Sequence, residues 1–83
     1  MQTTSIASIL KALPPMMAAH VQDVLLDPKL DAMATSNQLK ILLRPCAREL
    51  EAIGLIPDYT AYMLAAAIAD MRIRKRQQNP ANN

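Results

Sequence analysis

Apolar residues recur at helical spacing in four blocks of this chain, and prolines, one glycine and short polar runs separate the blocks. The first block spans about residues 4–13. Ile6, Ile9, Leu10 and Leu13 fall at i, i+3, i+4 and i+7, one stripe of a helix that Thr3 or Thr4 would cap. The pair Pro14–Pro15 ends it, because a residue preceding proline is pushed out of helical geometry. Pro15 also suits the first turn of a second helix, 15–26, whose Met17, Ala18, Val21, Val24 and Leu25 share one arc of about 100°. The stretch "LDPKL" then reads as a break and a restart, with Asp27 as cap and Pro28 opening a short helical piece over about 28–34.

"TSNQ" at 35–38 has the form of a capping box and predicts a third helix from there to Ile53, stopped by Gly54. Pro45 lies inside it. Leu39, Leu42, Leu43, Cys46, Leu50 and Ile53 project onto one arc that stays in phase across the proline. A single helix kinked at Pro45 is therefore expected, at a cost of ~3 kcal/mol relative to alanine, because the carbonyl of Ile41 loses its donor. Two short helices, with Pro45 opening the second, are the alternative. "LIPD" leads into a fourth helix that reads to about residue 76. The pattern predicts an all-α fold, a compact bundle of about four helices whose third and fourth members form the main antiparallel hairpin. Residues 1–78 would make one helical domain and 79–83 a disordered polar tail.

The fourth helix, "PDYTAYMLAAAIADMRIRKR", carries two apolar faces. Leu64, Ile68 and Met71 form the one expected to join the core. Tyr59, Tyr62, Met63, Ala66 and Ile73 form the other. A helix apolar nearly all round is either central to its bundle or shared with another chain. Tyrosine and methionine are enriched at interfaces, so the second face is the candidate protein-interaction surface. Burial of that face by the three short neighbouring helices is the competing structural account.

Basic residues flank these faces. Lys40, Arg44 and Arg48 recur every fourth position opposite the apolar arc of the third helix, with Glu51 among them. They read either as a phosphate-tracking stripe or as a solvated helix face, and Glu51 favours the latter, since phosphate contacts need uncancelled positive charge. Asp23, Asp27 and Asp31 make an acidic row that projects away from its own apolar arc and so does not pair with the basic one. Arg72, Arg74, Lys75 and Arg76 spread around the whole circumference, which suits interaction with the C-terminal end of the helix dipole better than a ridge entering a groove. A helix-turn-helix around Gly54 matches poorly, because "YTAYMLAAA" stands where polar base-reading side chains belong.

Composition narrows the remaining possibilities. With 83 residues the chain is one domain, too small to bury much more than roughly 60% of its unfolded surface. There is no Phe or Trp, a single Cys and six Met. An internal disulfide is excluded, and Cys46 and His20 are the only soft metal ligands, so neither a metal nor a cofactor is expected. Stability must come from tight helical packing or from a partner chain. The net charge of +2 divides into about −1 over residues 1–38 and about +3 over the rest. No export signal is visible and the longest apolar run is far short of the ~20 residues of a membrane span, so a cytoplasmic location is expected. No phosphate loop and no activated nucleophile can be read, and His20 and Cys46 are expected to be a surface imidazole and a buried thiol.

These features point away from an enzyme and toward a small protein-interaction module: an adaptor, regulator or inhibitor that binds a larger protein. A phage-encoded, host-directed inhibitor would suit such a size. Tyr59, Tyr62, Met63, Ala66 and Ile73 are the expected contacts, with Arg44, Arg48 and Arg74 as rim charges. A nucleic-acid-binding regulator using Lys40, Arg44, Arg48 and the basic end of the fourth helix is the first alternative. A structural homodimer through the fourth helix is the second.

Overall fold

A computed structural model describes the backbone of residues 5–78 and the side chains of residues 5–77. Thr3, Thr4 and the polar tail 79–83 lie outside the described residues. The chain forms α1 (Ile6–Ala12), α2 (Pro15–Leu26), α3 (Ala32–Leu43), a single 3₁₀ turn (Arg44–Cys46), α4 (Ala47–Glu51) and α5 (Pro57–Gln78). Ser5 caps α1, its hydroxyl accepting a hydrogen bond from the Ser8 amide at 3.1 Å. Pro15 stands at the start of α2 as its fixed φ favours.

The segment after α2 departs from expectation. No separate helical piece forms over 28–34: residues 28–31 are turn and cap, and 32–34 belong to α3. Asp27 instead closes a turn, accepting from the Lys29 amide at 2.9 Å around Pro28. A proline after aspartate suits the second position of a turn as well as the first of a helix. Asp31, not Thr35, then caps α3 by accepting from the Ala34 amide at 2.8 Å. Starting one turn earlier extends the stripe Leu39–Leu43–Cys46–Leu50 back to Thr35, which is fully buried inside the helix.

Pro45 is accommodated by tightening rather than by breaking. Leu43 and Arg44 keep right-handed helical dihedrals, and the 3₁₀ turn passes the chain directly into α4. α3, the turn and α4 thus behave as one helix interrupted at the proline. Ile53, placed in the core arc by a helix continued to that residue, lies instead beyond the end of α4, in the turn that Gly54 closes, and is exposed. Gly54, at φ 80°, ends the segment: its amide donates to Glu51 and the Leu55 amide donates to Leu50 at 2.9 Å, the paired bonds of a Schellman cap.

α3 and α5 make the most extensive contact in the bundle and run antiparallel. At one end Arg44 reaches Asp58, and at the other Arg72 reaches Leu30. Ala61 and Ala65, both buried, let the two helices approach closely beside Leu64. α2 covers α3 and part of α5, while α1 packs on α2 and α4. One core results, built on Ile9, Leu13, Val21, Leu25, Leu39, Leu43, Leu50 and Leu64. Met71, expected beside Leu64, is exposed instead. α5 is about 33 Å long against about 18 Å for α2 or α3, and Met71 sits where the covering helices end.

Candidate functional site

The outward face of α5 remains uncovered over fifteen residues. Tyr59 is 54% exposed, Tyr62 64% and Ile73 50%. Ala66 is exposed as well, and Met63 is half-buried against α1. The five residues assigned to an interaction surface therefore share one face of one helix, and Met63 is the member that also touches the core. Asp70 is the acidic group on that face, and its Oδ2 pairs with Arg74 one turn on at 3.1 Å.

Two grooves border this face. The larger, of about 570 Å³, lies between α3 and α5. Ala65 and Ala66 line it on the α5 side, Met33 and Tyr62 stand beside it, and Ser36, Asn37 and Lys40 supply its polar edge. Met33 is 74% exposed. The smaller, of about 260 Å³, lies between α1 and α5 beside Ile6, Met63 and Ala67. Tyr62 and Ala66 contribute to both, so they form the ridge between two hollows. Small residues make the hollows: alanine on α5 leaves space that leucine would fill. Sequence reasoning missed the α3 side of the larger groove, because residues 32–37 were assigned partly to a short separate helix and partly to a cap.

The basic residues are less available than their spacing implies. Arg44 makes a bidentate pair with Asp58, Nε to Oδ1 and Nη2 to Oδ2, both at 3.1 Å. The hydrogen bond from Arg44 holds the Asp58 carboxyl below the usual carboxylate range, and the positive charges of Arg44 and Lys40 add to this; in return Asp58 raises the already high pKa of Arg44. Arg74 is joined to Asp70. Arg72, read from sequence as one of four bases complementing the helix end, spans the 25–30 segment: its Nη1 donates to the carbonyl of Leu30 at 3.0 Å, and its Nη2 to those of Asp27 at 3.0 Å and Leu25 at 3.4 Å. Arg48 is exposed, and Lys40 is half-buried at the larger groove.

The depression of Asp58 carries a pH consequence. A group whose folded pKa lies below its unfolded value stabilises the fold above the unfolded pKa, and that contribution is lost as pH falls through the folded one. The α3–α5 end contact should therefore persist above about pH 4 and weaken below it. An NMR titration of the Asp58 carboxyl carbon is expected to give a midpoint below about 3.9, moving upward in R44Q. An unchanged midpoint in that variant would mean that Arg44 does not set it.

Cys46 is buried, and burial, followed by the charge of Glu49, pushes its thiol up, so the thiolate needed for nucleophilic chemistry is disfavoured at neutral pH. His20 is exposed beside a shallow hollow on α2 and α3. Among the described residues no cluster of three metal-ligating side chains forms, and no helix is long and apolar enough to cross a membrane. What the surface offers is therefore an apolar ridge with flanking grooves and a charged margin, suited to packing against another helix. No family model, curated protein or solved structure matches this chain.

Proposed function

We propose that this protein is a non-enzymatic interaction module, an adaptor, regulator or inhibitor, that acts by seating the outward face of α5 against a larger protein. The observation that carries this reading is the uncovered run of Tyr59, Tyr62, Ala66 and Ile73 on a helix whose opposite side already supplies the core. A soluble bundle gains nothing from holding two tyrosines and an isoleucine in water, whereas aromatic anchors beside small-residue hollows suit a helix-in-groove contact. Met33 and Met63 at the groove edges can repack around a partner. Arg48 and the paired Arg44 and Arg74 would lie at the rim, steering association toward an acidic patch. A cytoplasmic site of action fits this role.

The nucleic-acid alternative is less well supported. Arg44, Arg72 and Arg74 are engaged within the chain, so both the Lys40–Arg48 stripe and the basic end of α5 lose charge that phosphate contacts would need.

The test compares wild type with Y62A/M63A immobilised in lysate of the native cell. A protein retained by wild type and lost from the variant, at equal helicity, is expected. Identical captured sets would remove the reading.

A further inference from the structure

We propose that the occupant of the α5 face is a second copy of this chain, packed antiparallel with its two-fold axis at Ala66. This inference rests on the reading of α5 as an interaction face and puts a second copy in place of the larger protein. Tyr59, Tyr62, Ala66, Ala69 and Ile73 follow one another at spacings of three, four, three and four, the seam of a helix that packs along its length against another helix. Side-chain size along that seam runs large, large, small, small, large. Reversing a second α5 about Ala66 sets Tyr59 across from Ile73 of the other copy. Tyr62 then lies over the other copy's Ala69 and Asp70, and Ala66 faces Ala66. Bulk meets space at each level, and the alanines at the axis allow close approach. A parallel pairing would stack tyrosine on tyrosine at one end and alanine on alanine in the middle, forcing the helices to splay.

Charge selects the same arrangement. The start of α5 carries Asp58, and its end carries Arg74, Lys75 and Arg76. Antiparallel packing about Ala66 sets the acidic start of one α5 at the level of the basic end of the other. Parallel packing would set the basic ends side by side, and it would align the helix dipoles where antiparallel packing opposes them. The groove of about 570 Å³ lies beside the axis and can receive the second copy's Tyr62, whose hydroxyl would meet Ser36, Asn37 or Lys40. The groove walls are needed: a specific interface buries about 1,200 Å² or more in total, about a tenth of the 5984 Å² accessible surface from each copy. A bare helix stripe about 21 Å long is smaller than that.

Sedimentation equilibrium from micromolar to millimolar concentration should give a mass near twice the 9.1 kDa chain. In A66R the mass should halve with helicity unchanged, because residue 66 is exposed in the single chain and two arginines would meet at the axis. Oxidation should link A66C into a covalent dimer. I73C alone should stay unlinked, since the two sites would stand about 21 Å apart. Cys46 is buried and does not compete. A wild-type monomer mass throughout, or efficient linking of I73C, overturns the proposal. A monomer whose foreign partner is lost in Y62A/M63A keeps the interaction reading and removes the second copy. A dimer that captures no foreign protein keeps the second copy and ends the reading of a larger partner.

Discussion

L43A should destabilise the chain by about 2–5 kcal/mol, the range for emptying a leucine site in a packed core. Leu43 is fully buried where α3 tightens into the 3₁₀ turn, with Leu39 and Cys46 one turn to either side on the same core stripe. Proline sits two residues on, so the backbone there is held by ring geometry and collapses poorly around a void. A domain of this size has about 4–12 kcal/mol of stability in all. The loss therefore removes a large fraction of it, and a urea transition at fixed protein concentration should shift far toward zero denaturant. I53A is the control. Uniform helical spacing puts Ile53 on the same arc, but α4 ends at Glu51 and leaves Ile53 exposed in the following turn, so its truncation should change stability by less than about 0.5 kcal/mol. Comparable losses for the two variants would mean that Ile53 packs into the core in solution, as a helix continued to Gly54 would place it.

That pair of residues shows where the fold was legible. Strong punctuation survived translation into structure: Pro14–Pro15 bound α2, and Gly54 closes α4 with a left-handed cap that only a few residue types adopt. The apolar stripes of the first two helices also hold, with Ile9, Leu13, Val21 and Leu25 buried. Weak punctuation misled. Asp27–Pro28 and Thr35–Gln38 each fit two local structures, and the choice was made by packing. Beginning α3 at Ala32 lengthens the α3–α5 contact, and Asp31 supplies the cap in place of Thr35.

The candidate site was legible as an excess of apolar circumference on one helix, because periodicity assigns opposite faces without reference to neighbours. Its grooves were not, since a hollow depends on which small residues of two helices meet. Thr35 shows a different limit: its hydroxyl is buried without a partner, and we have no physical account of its retention there.

Arg72 was missed, although a signal existed. It continues the buried register of Ala61, Leu64, Ala65 and Ile68, so an arginine at that position is aimed inward while Arg74, Lys75 and Arg76 are not. Its guanidinium joins the end of α2, the Asp27 turn and the residue before the α3 cap into one unit. R72M keeps most of the aliphatic stem and deletes the fork. Hydrogen bonds from a charged donor contribute about 1.5–3 kcal/mol, and water can reach a half-buried site, so a total loss of about 2 kcal/mol is expected. R72K should recover little, because one compact ammonium cannot span three carbonyls. R74M, which removes only an exposed pair one turn apart, should cost less than about 0.5 kcal/mol. Amide exchange separates a local from a global effect. The Asp27 and Leu30 amides, which already make long bonds of 3.3 and 3.4 Å, should exchange faster in R72M, with those of α4 unchanged after correction for global stability. Equal losses in R72M and R74M, or an undisturbed turn, would show that the arginine fork does not hold the α2–α3 connection.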